Sequence, residues 1–258
     1  MTLESLGVWH IVFVAAAMVL AGFVHGALGF GFPLIATPIV ALALDIKLAI
    51  VLIAPVTLVM TLISVARGGG WREAIRRFWF LPLAMAVGSY AGTRLLIGAK
   101  PAPFLLVLAL LILVYLGLDK LKRGENSFVK DWRLPIGLSV GLVAGIFEAT
   151  ANVAVPPLII YLMLLGLPPI ATVQTLNLCF SVGKAVQVGT WALYGNVAGA
   201  LWLTAAVLTL PSMVALFRGM RVREGIDAPT YRIWLRRALW VMAALLVGQY
   251  AYLEFLVG

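Results

Sequence analysis

The stretch HGALGFGFPLIATP, residues 25–38, decides how the rest of the chain is interpreted. It interrupts an apolar sequence with three glycines and two prolines. Such a sequence disrupts a helix and frees backbone N–H and C=O groups that hydrocarbon cannot satisfy. A break of this kind is tolerated within a membrane only where protein, water or a ligand supplies partners. A helix that restarts after the break presents free N–H groups and its positive dipole end, which suit an anion.

The composition places this stretch in a membrane protein. Of the 258 residues, 63% are hydrophobic and 11% are charged, whereas about 25% are charged in an ordinary soluble domain. The mean hydropathy is +1.08. So few charged side chains cannot cover a soluble surface, which excludes soluble enzymes, secreted domains and disordered tails. The single cysteine, Cys179, cannot form an internal disulfide.

Ten apolar segments predict an all-α polytopic membrane fold with eight to ten spans, because one span needs about 20 residues. The second and seventh segments are short, so the sequence leaves open whether they cross the bilayer or re-enter. The segments are Leu6–Val24, Phe30–Leu44, Leu48–Ala66, Phe78–Ile97, Phe104–Leu118, Leu134–Ala149, Val153–Leu165, Ile170–Thr190, Val197–Phe217 and Ala238–Leu256.

Three basic loops predict the orientation of the chain. They contain most of the Lys and Arg residues behind the net charge of +9. Since Lys and Arg concentrate in cytoplasmic loops, we expect these loops in the cytoplasm and both termini outside. Arg67 and Arg94 are interpreted as interfacial anchors, and residues 231–237 as an interfacial helix. The loops cover residues 67–77, 119–133 and 218–237.

Matching patterns indicate two inverted-topology repeats. The pattern G-x-x-x-G, followed by a proline twelve residues later, begins at Gly22 and again at Gly141. Residues 92–94 also resemble residues 219–221. Five segments per half would orient the halves oppositely, as in many secondary transporters. The expected units are a first repeat at residues 1–118, a basic cytoplasmic linker at 119–133 and a second repeat at 134–258.

The second half contains its own break, GIFEATANVAVPP at residues 145–157. Its position corresponds to that of the first break. We expect the two broken helices to meet near the bilayer midplane and to form one site. The residues expected to break the helices are Gly26, Pro38, Gly145, Pro156 and Pro157.

The residues around both breaks resemble the TauE/SafE sulfite exporter family, also called the 4-toluene sulfonate uptake permease family. The resemblance rests on residues 26–38 and 141–157, and it covers nearly the whole chain. It implies a multi-pass carrier in the bacterial inner membrane that moves sulfite, sulfonates or related organosulfur anions, usually outwards. The chain departs from the family pattern at residues 148–152, where many members have further glycines.

Three ionisable residues fall inside apolar segments, where charge is costly and marks candidate functional sites. They are His25 at the first break, Glu148 at the second and Lys184 in the eighth segment. Lys184 is expected either to bind an anionic substrate or to pair with Glu148. His25 and Glu148 are candidates for a coupled proton, because both groups can exchange protons near neutral pH. A purely structural ion pair is the alternative.

Polar residues follow one face of the eighth segment at spacings of 3, 4, 3 and 3. Such a stripe is expected either to line a wet cavity or to form contacts between helices. Together with the breaks it gives the candidate substrate-binding residues. These are His25, Gly29, Phe30, Gly31, Pro33, Thr37, Glu148, Thr150, Asn152, Gln174, Asn177, Ser181, Lys184 and Gln187.

The sequence and the resemblance together predict a secondary exporter of sulfite or small organosulfur anions that works by alternating access. The chain has no P-loop and no H-E-x-x-H zinc pair, so we expect neither an ATPase nor another enzyme. No cofactor, metal or nucleic acid is expected. The expected partners are the anion, membrane lipid and protons, and a homodimer is left open. The alternatives are a carrier or channel for another small anion, such as a carboxylate, and a membrane subunit without transport of its own.

Overall fold

The structure is a computed structural model that describes residues 8–98 and 127–225, with separate helical positions between 230 and 248. Ten helices have defined bounds in these residues, and no strand occurs among them, which confirms the all-α prediction. They are α1 (Val8–Leu28), α2 (Phe32–Val40), α3 (Ile46–Gly68), α4 (Trp71–Phe78), α5 (Phe80–Gly98), α6 (Ser127–Asp131), α7 (Arg133–Ala151), α8 (Val155–Leu164), α9 (Pro169–Tyr194) and α10 (Gly199–Glu224).

Five of these helices, α1, α3, α5, α7 and α10, are long and apolar enough to cross a bilayer. Helix α9 has 26 residues and is also long enough, but its polar stripe lowers its hydropathy. The described helices match the predicted segments to within four residues at either end, except that α10 continues to Glu224, seven residues beyond the predicted end at Phe217. The predicted segment Phe104–Leu118 and most of residues 231–256 lie outside the described residues. Helix α4 falls within the first basic loop and was not predicted; Ala74 and Phe78 form its buried face.

Helices α1, α3 and α10 run in one direction. Gly22 of α1 faces Ser212 of α10, and Gly26 faces Leu216, so α1 and α10 are parallel. His25, near the end of α1, contacts Ser64 near the end of α3, which makes those two helices parallel as well. Their carboxyl ends define the basic end of the bundle, where Arg67 and Arg223 lie near each other.

Helices α5, α7 and α9 run in the opposite direction. Gln174, early in α9, donates to the Val65 carbonyl late in α3 at 2.8 Å, so α3 and α9 are antiparallel. Gly141 and Gly145 of α7 face Leu81 and Met85 of α5 in the same order along the chain. The first three helices of each half therefore have inverted directions, as the predicted inverted repeat requires.

The short helices α2 and α8 carry the chain back across the bundle. Because α1 and α3 are parallel, residues 29–45 must return to the other end. Tyr161, late in α8, donates to the Arg133 carbonyl at the start of α7 at 2.6 Å, so α8 returns in the same way. Each short helix therefore returns the chain towards the other end of the bundle and does not leave at the end where it entered. Nine helical residues rise about 14 Å, so the non-helical residues beside α2 complete the passage.

Glycines at the two main packed pairs bring backbones into contact. A Cβ atom on Gly26 would meet α10 at Leu216, and one on Gly145 would meet the backbone of α5 at Met85 and Ser89. Both glycines lie inside continuous helices, so the expectation that they break the chain is wrong. Their function is close helix packing, in which small residues are required.

The expected proline breaks divide into two kinds. Pro38 lies inside α2, which continues to Val40, so Pro38 does not end that helix. Pro156 and Pro157 stand in the first turn of α8. Proline is well tolerated there because the first N–H groups of a helix have no partner within it. Pro156 and Pro157 therefore lie where a helix begins after the second break.

The alignment of the two repeats has to be shifted by one helical turn at the fourth apolar segment of each half, which forms α5 in the first half and α10 in the second. A Cβ on Gly219 would meet α1 at Phe23 and Ala27, and a Cβ on Gly88 would meet α7 at Leu142 and Ile146. Since these partners correspond in the two halves, Gly219 matches Gly88. The sequence match between residues 219–221 and 92–94 is one turn out of register.

We predict that Gly145→Ala lowers the free energy of unfolding by about 1–3 kcal/mol, because the added methyl group meets the Ser89 amide nitrogen at 2.7 Å. Gly189→Ala is the matched control, since among the described residues no atom outside its own helix backbone and chain neighbours lies within 4 Å of the added Cβ. The control should be neutral or stabilising. Denaturation in mixed micelles measures both, and equal stability of the two variants would contradict the packing account.

Candidate functional site

The polar stripe of α9 faces the interior of the bundle. Each of its five side chains is at most 6% exposed, and α9 contacts α3, α5, α7 and α8. Inside a bilayer such groups must find partners within the protein. The two breaks supply them. The stripe consists of Gln174, Asn177, Ser181, Lys184 and Gln187.

The first break lies at residues 29–31, between α1 and α2. Gly29 and Gly31 have φ angles of +85° and +102°, which residues with a Cβ rarely adopt. The amide of Asn177 donates to the freed Gly29 carbonyl at 2.6 Å. It also donates to the Val173 carbonyl of its own helix at 2.9 Å. The oxygen Oδ1 of Asn177 is buried and has no hydrogen-bond partner among the described residues.

His25 ties the first break to two neighbouring helices. The Phe32 N–H at the start of α2 donates to His25 Nδ1 at 3.3 Å. The other nitrogen, Nε2, then carries the proton and donates to Ser64 Oγ at 3.1 Å. Both ring nitrogens of the neutral imidazole are thus used in holding α1, α2 and α3 together.

The second break begins where Asn152 ends α7. Asn152 adopts a left-handed conformation with φ 57°, which terminates the helix. Its Nδ2 donates to Thr37 Oγ1 at 3.0 Å and lies 3.4 Å from the Ile50 carbonyl. These contacts tie the second break to the first half of the chain. They also orient the amide oxygen of Asn152 towards α9.

Lys184 is fully buried at this second break. Its ammonium donates to Asn152 Oδ1 at 2.7 Å and to Gln187 Oε1 at 2.6 Å. The Gln187 amide is oriented in turn, because its Nε2 donates to the Ala149 carbonyl at 3.0 Å. Two neutral oxygens with fixed orientations therefore hold the cation in place.

Glu148 is the counter-ion of Lys184, but the contact is loose. Its Oε1 lies 4.0 Å from Lys184 Nζ, beyond the usual hydrogen-bond length of about 2.7–3.2 Å. Its Oε2 packs against Gly183 and has no hydrogen-bond partner in the described part of the chain. Of the two roles expected for Lys184, the pairing with Glu148 is present here. An ion pair with this geometry repays little of the desolvation cost of its charges.

A cavity of about 480 Å³ opens beside the first break at the basic end. The Arg223 guanidinium reaches Gly29, and Arg67 stacks over the Phe217 ring at 4.5 Å. Its two guanidinium groups suit an anion, whereas the Glu224 carboxylate and the unpartnered amide oxygen of Asn177 can only accept hydrogen bonds, as from water. The cavity is lined by Ser64, Arg67, Gly68, Pro168, Pro169, Ile170, Val173, Gln174, Asn177, Arg223 and Glu224.

The two breaks meet α9 on either side of its midpoint. Asn177 contacts the first break and Lys184 the second; seven residues of helix separate them by about 10 Å. Ser181 lies between them on the same face, and its hydroxyl donates to the Asn177 carbonyl at 2.8 Å. The expected single site is thus two adjoining groups of residues along one helix.

Several predicted residues do not reach these groups through side-chain hydrogen bonds. The Thr150 hydroxyl donates to the Ile146 carbonyl of its own helix at 2.8 Å. Phe30 and Pro33 are buried in the core beside the first break. Ser139 is not among the predicted site residues, although residues 137–141, GLSVG, match the nucleophile pattern G-x-S-x-G. It is an exposed residue of α7 whose hydroxyl donates to the Pro135 carbonyl.

The two cavity arginines are not assigned to the site from the sequence: Arg67 is interpreted as an anchor, and Arg223 contributes only to the charge of its loop. Ser64 enters only as part of a weak polar pattern in the third segment. Both arginines fall within the last turn of a long apolar helix, but their proximity to the first break appears only in the structure. Arg94, by contrast, stacks over the Tyr194 ring at 4.3 Å at the other end of α9, in agreement with an anchor.

The fold and the site define a polytopic α-helical membrane protein with a buried polar path. The chain belongs to the sulfite exporter TauE/SafE family, whose family model matches residues 14–249. This is a family of membrane transporters for sulfite-type anions. Neither the curated proteins nor the solved structures gave a match to the chain.

We predict that Asn152→Gly lowers the free energy of unfolding by about 1–3 kcal/mol, because Lys184 loses an acceptor while the backbone keeps a permitted conformation. Asn196→Gly is the matched control: Asn196 also has a positive φ, 47°, but is exposed. The control should change stability by less than about 0.5 kcal/mol. If both variants behaved alike, the amide contacts of Asn152 would contribute nothing.

Proposed function

We propose that the protein is a secondary carrier that exports sulfite or small organosulfur anions, such as sulfonates, across the bacterial inner membrane. The observation that carries this proposal is the cavity at the basic end, in which Arg67 and Arg223 flank the first break. A sulfonate or sulfite group presents several oxygens, which match the planar donor fork of a guanidinium. Membership of the transporter family supports the same substrate class.

The positions of the basic residues support an orientation with this cavity open to the cytoplasm. Lys and Arg concentrate on the cytoplasmic side of membrane proteins. An anion would then enter from the cytoplasm and move along α9 from Asn177 towards Lys184. An anion that crossed without a coupled proton would be favoured outwards by an inside-negative potential, by about 2.3 kcal/mol per charge at 100 mV. Uncoupled export of this kind needs no nucleotide hydrolysis.

Alternating access would require the two halves, proposed as residues 1–118 and 134–258 with a basic linker at 119–133, to move against each other. The present arrangement supports this mechanism. A cavity reaches α9 from the basic end, while Asn152, Lys184 and Gln187 close the path beyond it through mutual hydrogen bonds. Opening the other side would separate these contacts. Asn152 bridges both halves through Thr37, so its amide contact is one of several that such a movement would have to change, together with that of Asn177 with Gly29.

The decisive experiment is anion counterflow in proteoliposomes. Vesicles are loaded with sulfite, sulfoacetate, isethionate, taurine or sulfate, and exchange for the labelled anion is followed. Saturable exchange of a sulfonate or sulfite is the expected result. Conductance without saturation would instead identify a channel. Absence of exchange by folded, inserted protein would withdraw the proposed substrates and leave carboxylates or a non-transporting role.

We predict that Arg223→Gln raises the KM for the exchanged anion about tenfold, equivalent to about 1.4 kcal/mol of binding free energy. The guanidinium lies at the first break and lines the cavity. Arg76→Gln is the control, since Arg76 pairs with Glu73 at the exposed surface and does not line this cavity. An unchanged KM in Arg223→Gln would remove this arginine from the binding site.

A further inference from the structure

The buried cation at the second break has a counter-ion that can be replaced. Lys184 has three N–H donors, and its two short hydrogen bonds go to neutral amide oxygens. The nearest oxygens to which its third N–H could donate both belong to Glu148: the backbone carbonyl lies 3.5 Å from Lys184 Nζ and the carboxylate 4.0 Å from it. The position next to the ammonium thus lacks a close anionic partner, although the charge itself is held rigidly.

Glu148 is free to change its charge in a way that His25 is not. Oxygen Oε2 of Glu148 is buried and unbonded within the described residues, so it can accept a proton without breaking any contact. His25 already uses Nδ1 as an acceptor and Nε2 as a donor. A second proton on its ring would displace the Phe32 N–H and loosen the first break. Of the two residues proposed to carry a proton, Glu148 has the suitable geometry.

We propose that the Glu148 carboxylate is a tethered substitute for the transported anion, and that the anion and one proton occupy the second break together. When an anion arrives beside Lys184, the carboxylate takes up one proton on Oε2 and becomes neutral. When the anion leaves, the carboxylate releases that proton and again balances Lys184. The buried group is electrically neutral in both states. This inference rests on the proposed transport function and specifies how the site is coupled.

Neutrality is the physical reason for the coupling. An anion added beside ionised Glu148 would place two negative charges against one ammonium, in an interior where like charges repel strongly. Among the described residues, Lys184 is the charged group that acts on Glu148, and Glu148 in turn acts on the Cys179 thiol; both partners are on α9. Helix α5 presents Met85 at the same place, next to Gly183, and methionine does not titrate. No second carboxylate is therefore available near Oε2 in the described region.

Calorimetric binding of isethionate to the full chain in detergent tests this proposal. Isethionate is a strong-acid anion and stays ionised, so any proton taken up must bind to the protein. Titrations in two buffers of different ionisation enthalpy count these protons. We expect uptake of about one proton per anion, and a Kd that rises by about tenfold per pH unit where free Glu148 is ionised. The variant Glu148→Gln should bind isethionate with no proton uptake and a pH-independent Kd.

Glu73→Gln is the matched control, because it makes the same change at an exposed carboxylate; it should retain proton uptake. If Glu148→Gln does not fold, infrared difference spectra of the wild type decide the matter: isethionate should produce the C=O band of a protonated carboxyl group. Binding without proton uptake, or uptake that persists in Glu148→Gln, would overturn this inference alone. Absence of both isethionate binding and counterflow of every tested anion would overturn the proposed function as well.

Discussion

The structure depends on mutual satisfaction between the polar face of α9 and two broken helices. Neither is stable alone in hydrocarbon, because an unpaired backbone carbonyl and an unpaired amide side chain each carry a large desolvation cost. Asn177 meets the Gly29 carbonyl, and Gln187 meets the Ala149 carbonyl. These hydrogen bonds fix the position of α9 as well as stabilising the fold. If α9 were shifted by one residue, the two amide side chains and the two backbone carbonyls would all lose their partners. The surrounding apolar helices then pack around α9, whose position relative to the two breaks is fixed by these hydrogen bonds.

Burial of Lys184 follows from the same constraint and has the largest energetic consequence. An isolated ammonium could not remain charged at this depth, so its partners must be supplied from several elements at once. They come from α7, α9 and, through Thr37, the first half of the chain. A cation assembled in this way links the packing of two halves to the occupancy of one site. A change in charge at the site can therefore bias the relative position of the halves, which is what a carrier needs.

Much of this arrangement could be predicted from the sequence, because hydropathy and the spacing of polar residues report directly on a membrane helix. The helix positions and the inward face of α9 followed from such patterns, whereas for Lys184 the sequence left open both anion binding and pairing with Glu148. The function of Gly26 and Gly145 did not, because glycine permits both a break and close packing, and only the partner helix distinguishes them. The cavity arginines were also missed, since a basic residue at a helix end has the same sequence signature whether it faces lipid headgroups or a site. The one-turn shift of Gly219 shows that the alignment of two repeats has to be determined from helix contacts as well as from sequence similarity.

The central claim is that the anion follows the polar face of α9 between the two breaks. Cys179 is the only cysteine in the chain, so a Cys179→Ala background allows single cysteines to be placed on α9. The measurement is the rate at which a sulfonate-bearing methanethiosulfonate modifies Ser181→Cys, compared with Ala185→Cys on the outward surface of the helix. The account predicts that Ser181→Cys reacts and that isethionate slows the reaction, while Ala185→Cys shows no protection. Equal behaviour of the two positions, or a Ser181→Cys that never reacts during active counterflow, would contradict it.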